Sequence, residues 1–351
     1  MDFSKFGDMD GPSEIGFTVH NFLLHFNETF QQSGGALLDA YLKEFQHVTK
    51  WILVSDYAFY DKNKMHDVVT FSIIPYIAEF DTISTALGGM APADLKKVRK
   101  VKAEFLNFLA DGPVFNISIK LDRDRKLHPD ERAYHKKKIA MLIGQLEYWC
   151  QSTPVGAKRY QKFIKVLRQL DQIVGGAGAN LKAVRDIEIV ATLAAYLMSE
   201  ITTRAKVEII GWFSDRDALL SYKAAKLGHF TFELVDLYYY IFCYHGDINS
   251  KGKLVLGLPG DDNVVWYDNL IRIPDLLAGT FADYDYNSNY STHEKFIPVI
   301  EKLFVAEARN LFFKINFAGG LQAGRLSWTL APVDNDAIVE TALSDVKGCE
   351  K

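Results

Sequence analysis

Cysteine is scarce in this 351-residue chain: Cys150, Cys243 and Cys349 stand far apart. Three distant thiols make neither a disulfide framework nor a zinc-ligand pattern, and the reading is of free thiols in a cytoplasmic protein. Long apolar runs are also missing. The nearest approach, 187–201, carries Glu188 and Glu200. It is too short and too polar for the roughly 20 apolar residues that span a bilayer, so no membrane role is expected. The first sixteen residues are acidic and polar, without a basic start or an apolar core, so export is not expected. No Gly-x-Ser-x-Gly elbow occurs, which argues against an ordinary α/β-hydrolase. The Gly175–Gly178 run lacks the Gly-Lys-Ser/Thr ending of a phosphate-binding loop and reads as a helix break. The nine histidines include no His-Glu-x-x-His pair. There is no internal repeat and no low-complexity segment.

What is present is bulk apolar material: 48% hydrophobic residues and 24 Phe, enough for a sizeable core in one large or two ordinary domains. The stretch 51–60, Trp-Ile-Leu-Val-Ser-Asp-Tyr-Ala-Phe-Tyr, reads as a strand buried on both faces, with Asp56 toward its carboxyl end. Residues 68–74 make a second strand, and the polar link 61–67 suits a hairpin. Residues 114–121 alternate as a third strand, and 206–213 make a fourth, ending in Ser214-Asp215-Arg216-Asp217. A short strand is expected at 253–258. Apolar residues at helical spacing predict helices over 17–30, 36–49, 93–110, 130–150, 157–174, 181–204, 217–227, 230–244, 268–283 and 294–314. Asn180 fits an N-cap for the helix that follows it. The tail from about 333 is acidic.

The net charge of −4 conceals an asymmetry. Between Leu95 and Arg168 there are 18 Lys or Arg against 7 Asp or Glu, a local +11 that leaves −15 elsewhere. Such a split suits a polyanionic partner, or else the solvated faces of ordinary helices. Lys96, Lys97, Arg99, Lys100, Lys136, Lys137 and Lys138 are the candidate nucleic-acid contacts. Aromatic residues over 230–244 and 281–290 are candidates for a protein partner or for pairing with a second copy of the chain.

Three acidic positions stand out by context. If the first and fourth strands are parallel neighbours, Asp56 and Asp215 meet at the carboxyl edge of a sheet, where ligands of open α/β proteins bind. Asp275, from the helix over 268–283, would complete a cluster, with Asp217 as an alternate. Hard divalent cations require such oxygen ligands, and a pair of them can hold the attacking and leaving oxygens of a phosphodiester. The plain alternative is that these aspartates cap loops and decorate the surface.

The succession of a strand with Asp, a hairpin, a third strand, helices, a strand ending in Asp, and a helix bearing Asp275-Leu276-Leu277-Ala278-Gly279 resembles an RNase H-like fold. It is most similar to the bacterial and phage family called domain of unknown function 3800. That family opens on an Asp-Glu-Ser strand and closes on an Asp-Leu-Ile-Ala-Gly helix. Val54-Ser55-Asp56 matches the first in part, with Tyr57 where Glu is usual, and Glu188 or Glu200 are the candidates to replace it. The resemblance covers roughly 51–283. It implies an α/β fold with a mixed sheet of about five strands flanked by helices. An N-terminal arm and helices would lie over 1–50, a helical insertion at about 130–204, and a C-terminal helical extension with an acidic tail over 284–351. It also implies a nuclease or phosphoryl-transfer enzyme acting on nucleic acid, with Mg²⁺ or Mn²⁺ held by Asp56, Asp215, Asp217 and Asp275. The alternative is a catalytically inactive module of the same fold that binds a protein or a nucleic acid.

Overall fold

The computed structural model describes residues 3, 6, 16–91, 98–215, 230–258, 265–305 and 308–329. At its centre is a hairpin of β1 (Lys50–Ala58) and β2 (Asp67–Pro75). Its residues are buried almost without interruption. This is why 51–58 reads as a continuous apolar run: helices cover both faces of the strand. The remaining strands of the main sheet are β3 (Phe115–Leu121), β4 (Ile209–Ser214), β5 (Leu254–Gly257), β8 (Asn310–Asn316) and β9 (Gln322–Leu326). A separate two-stranded ladder joins β6 (Tyr284–Asp285) to β7 (Tyr290–Ser291). The main sheet runs β5-β4-β1-β2-β3-β8-β9. β4 lies parallel beside β1, and β5 parallel beside β4. Only β2 and β9 run against the common direction.

Ten helices are present among the described residues. They are α1 (Asn21–Ser33), α2 (Gly35–Glu44), α3 (Phe80–Met90), α4 (Ala103–Asp111), α5 (Glu131–Ser152), α6 (Ala157–Gly175), α7 (Leu181–Arg204), α8 (Phe230–His245), α9 (Asp268–Asp283) and α10 (Ile297–Leu303). Side-chain alternation along the strands divides them into two layers. Trp51, Leu53 and Tyr57 face a core built with α1, α2 and α5 to α8. Ile52 and Val54 face a second core built with α3, α4, α9 and α10. No helix among the described residues is long and apolar enough to cross a membrane.

Among the described residues the sheet has seven strands where about five are expected. The difference arises in the C-terminal region. The helix expected over 294–314 is a short 3₁₀ turn followed by α10, and the chain then enters β8. Leu311, Phe313 and Ile315 face one core and Phe312 the other. That is a period of two, in a segment so apolar that a helical face can also be drawn through it. Of the basic helix expected over 93–110, residues 93–97 lie outside the described residues, 98–102 are not helical, and α4 begins at Ala103 after the extended backbone of Lys102 (φ −67°, ψ 142°). The helix expected over 217–227 lies outside the described residues.

Gly211 and Gly257 sit on neighbouring strands against the ring of Phe213. A Cβ at Gly211 would approach Phe213 Cε2 to 2.6 Å, and one at Gly257 would collide with Cδ1. The ring cannot swing aside cheaply, since Trp266 and Tyr267 each hold it at a centroid distance of 5.2 Å. Gly257→Ala is therefore expected to cost about 1–3 kcal/mol, the range for overpacking a filled core. Urea denaturation measures it, and an unchanged midpoint would mean that the ring has room to move.

Candidate active site at the carboxyl edge

β1 and β4 advance side by side, with Ser55 opposite Ser214. The ladder continues one step further, since Asp215 N donates to Ser55 O at 3.0 Å. Alternation puts Val54 and Phe213 on the α9 face and Ser55 and Ser214 on the other. Asp56 therefore returns to the α9 face, and Asp215, the residue after β4, stands beside it on backbone about 4.8 Å away. Asp56 is buried and Asp215 half-buried. Opposite Asp56 on β2 is Thr70, whose hydroxyl bonds to Ser118 on β3 at 2.9 Å. A polar row thus crosses three strands on a face that is otherwise largely apolar. One step along, Asn116 Nδ2 donates to Asn310 Oδ1 at 2.8 Å.

Tyr57 points to the opposite face, as the next residue of a strand must. Its hydroxyl joins Ser55 Oγ at 2.8 Å and also meets Ser214 Oγ. Trp212 Nε1 donates to the same Ser55 Oγ at 3.1 Å. Position 57 therefore belongs to a hydroxyl cluster on the far side of the sheet from Asp56. Tyr267, just before α9, divides its hydroxyl proton between Ser214 O (3.0 Å) and Gly257 O (3.1 Å). That bond ties the start of α9 to the carboxyl ends of β4 and β5.

The hairpin loop after β1 is pinned by a buried clamp. Arg125, fully buried, donates to Asp67 Oδ2 at 2.7 Å and to Asp186 Oδ1 at 2.9 Å. Its guanidinium lies over the rings of Phe59 and Tyr60. Tyr60 holds a left-handed backbone (φ 56°) and donates its hydroxyl to Asp186 Oδ2 at 2.7 Å. Burial pushes the Tyr60 hydroxyl up to about 12, above its ordinary value near 10.

The other expected residues are dispersed. Asp275 lies on the flank of α9 that lines a cavity together with Arg272 and Leu276. Among the described residues, no three His, Cys, Asp or Glu side chains gather into a group that could hold a metal ion. Lys96, Lys97 and Asp217 lie outside the described residues. Arg99 and Lys100 are exposed, and Lys100 lines the same cavity as Asp275. Lys136 and Lys137 are exposed on α5, which packs on the opposite sheet face from Asp56. Lys136 pairs with Asp171 at 3.0 Å.

Lys138 is a correction: it is not a surface residue. It is buried, and its ammonium contacts Glu188 Oε2 (3.0 Å), Tyr238 OH (3.0 Å) and His20 Nε2 (2.6 Å). Tyr238 donates to the same Glu188 oxygen at 2.5 Å, and His20 Nδ1 lies 2.8 Å from Tyr134 OH. His20 Nε2 also lies 3.0 Å from Glu188 Oε2, so the tautomer decides whether that nitrogen donates to the carboxylate or accepts from Lys138. Burial, and then the Lys138 charge, push His20 down to about 4. Burial alone would raise the Glu188 carboxyl, but Lys138 and the His20 contact outweigh it and hold it well below the usual range. Glu188 is thus committed to this network. Glu200 is committed to Gln31 (2.8 Å) and Arg204 (2.9 Å). Neither takes the place of the Glu missing at position 57. The signal for the network was present in the sequence: Lys138 stands on the apolar stripe of α5 with His135, Leu142, Leu146 and Trp149.

No protein-family model, no curated protein and no solved structure matches the chain.

Proposed function

We propose that the chain is an RNase H-like protein that acts on nucleic acid through a single divalent cation held by Asp56 and Asp215. The observation that carries this reading is their placement: Asp56 near the end of β1 and Asp215 directly after β4 stand side by side at the carboxyl edge of two parallel strands. The hairpin, third strand, helices and parallel return strand support the RNase H-like plan. The donor set suits a hard cation, since Mg²⁺ takes one or two protein carboxylates and completes its shell with water and phosphate oxygen. Bound there, the ion would neutralise charge on a phosphodiester. β1 carries Asp56, the bond from Asp215 N to Ser55 O ties Asp215 to the same strand, and the clamped hairpin loop braces the end of β1. Tyr267 holds α9 across the same edge.

Mg²⁺ or Mn²⁺ at ten times its dissociation constant is then expected to add about 1.4 kcal/mol of stability. Asp56→Asn and Asp215→Asn should each abolish that gain. The activity test uses single- and double-stranded DNA and RNA with Mg²⁺, Mn²⁺ or EDTA. Cleavage that disappears both in EDTA and in Asp215→Asn supports the enzyme.

A second reading is favoured by Tyr57 at the position where the family's Glu is usual and by the internal pairing of Lys136 and Lys138. In that reading the fold is a binding module without catalysis. Nucleic-acid binding without cleavage, unchanged by EDTA, would support it.

A further inference from the structure

We propose that a nucleic-acid strand engaged at the Asp56–Asp215 edge lays its phosphates across Lys120 of β3 and Lys314 of β8, two lysines that stand side by side on the same face of the sheet as Asp56. The inference rests on the nucleic-acid reading above. It gives that reading the cations that the expected lysines do not supply, since Lys138 is buried and Lys136 and Lys137 lie on α5 in the opposite layer.

Register fixes the placement. Asp56 opposes Thr70 on β2, and Thr70 opposes Ser118 on β3. Lys120 is the next residue of β3 on that face, since Ile119 and Leu121 point into the other core. Lys314 is its direct partner on β8, between Phe313 and Ile315, which also point into the other core. At about 4.8 Å per strand and about 3.3 Å per residue, Lys120 lies about 12 Å from Asp56 and Lys314 about 16 Å, Cα to Cα. That span covers about four or five nucleotides of a duplex strand, at about 3.4 Å of rise each. The strands around the pair and the β6–β7 turn that carries Tyr286 all lie among the described residues.

The second observation is that the two ammonium groups face solvent without a counter-charge. Like charges directly opposite each other on neighbouring strands are destabilising. Each lysine is partly exposed, and neither ammonium is buried. Among the described residues neither makes an ion pair or a hydrogen bond. Lys120 Nζ stands 4.7 Å from the centroid of the Tyr286 ring. That ring is held by Phe312 at 5.5 Å and by its own hydroxyl bond to Phe281 O at 3.0 Å. Burial and the Lys314 charge lower Lys120, against the pull of Asp122. The carboxylates near the pair have other partners. Asp122 Oδ2 accepts from Phe317 N (2.6 Å) and Ala318 N (3.2 Å). Asp285 accepts from Asn287 N (2.9 Å) and Ser288 Oγ (2.6 Å). A phosphate oxygen between the two ammonium groups offsets their repulsion, and its binding releases condensed counterions.

Fluorescence anisotropy of the full chain with labelled single- and double-stranded DNA and RNA, over a range of salt concentrations, tests this. Lys120→Gln combined with Lys314→Gln is expected to weaken binding at least tenfold at low salt. It should also flatten the log–log salt slope by about 1.4 for single strands and about 1.8 for duplexes, the loss of two phosphate contacts. Lys314→Gln alone should show half that change in slope and stands in if the double variant misfolds. Lys136→Gln combined with Lys137→Gln removes the same charge from the other layer and should leave the slope as it is. The proposal is overturned if the Lys120 and Lys314 variants keep the parent slope, or if the Lys136 and Lys137 pair flattens it equally. Metal-dependent cleavage with an unchanged slope would overturn this proposal and leave the Asp56–Asp215 reading standing. A parent chain that binds no nucleic acid would overturn both.

Discussion

Lys138→Ala is expected to remove about 3–5 kcal/mol of folding stability, the usual cost of breaking a buried ion pair by deleting one partner. Glu188 is the reason. Its carboxylate is almost fully buried, and its Oε2 takes contacts from Lys138, His20 and Tyr238. Without the ammonium, a charge held well below the usual carboxylate range would have to stay ionised in an apolar layer or take up a proton. Lys138 itself sits in a lowered range because of burial, offset by Glu188, so each group is tolerated only because the other is present. The reciprocal Glu188→Gln should be comparably damaging, since it leaves the buried ammonium with neutral partners. Lys138→Met combined with Glu188→Leu should recover most of the loss, because apolar groups of similar volume need no charge partner. Urea denaturation of the three variants at pH 7 measures this. If Lys138→Ala lost less than about 1 kcal/mol, the network would be hydrated and the buried geometry wrong.

That network also marks where reading the sequence reaches its limit. Segments whose local signals agree were legible. The helix over 181–204 is found with the expected bounds, and Asn180 caps it by accepting from Ala183 N at 3.1 Å. The helix over 268–283 also matches. β1 and β2 follow from their unbroken apolar character, and the neighbouring parallel placement of β1 and β4 is as expected. By contrast, His20, Lys138 and Glu188 come from three distant segments. Nothing in a window of sequence says that a lysine on an apolar stripe will meet a glutamate 50 residues later. Within the +11 region the sequence likewise does not separate buried Lys138 from its exposed neighbours. Counting charges does not reveal partners, and Lys136, Arg159, Lys162 and Arg168 are each paired with a carboxylate. Of the acidic trio, strand register brings Asp56 and Asp215 together. Asp275 depends on how a helix is rotated on the sheet, which a short motif leaves open.

Stability is expected to fall by about 3 kcal/mol between pH 6.5 and pH 4 on account of His20 alone. The sign follows from proton uptake. In the unfolded chain this histidine titrates near its ordinary 6.5; in the native state burial and the Lys138 charge push it down to about 4. Above pH 6.5 both states hold it neutral and it makes no difference. As the pH drops through the window the unfolded chain gains a proton that the native chain refuses, so unfolding becomes easier. Below about 4 both are protonated and the loss levels off. The gap between the two values, at about 1.4 kcal/mol per pH unit, gives the magnitude. The groups facing the imidazole are Lys138, Glu188, Tyr134 and His135. Glu188 remains ionised through the window because its own range lies lower. His66 is also pushed down to about 4, mainly by burial, and His135 is lowered for the same reason. The whole protein should therefore lose more than His20 contributes. The His20 share is isolated by comparing the parent with His20→Gln in urea at pH 7.0, 5.5 and 4.5. The variant starts from a lower stability but should fall less steeply, by about 3 kcal/mol over the full window. Parallel curves for the two proteins would show that His20 exchanges protons freely in the native state, and the buried contact with Lys138 would then have to be abandoned.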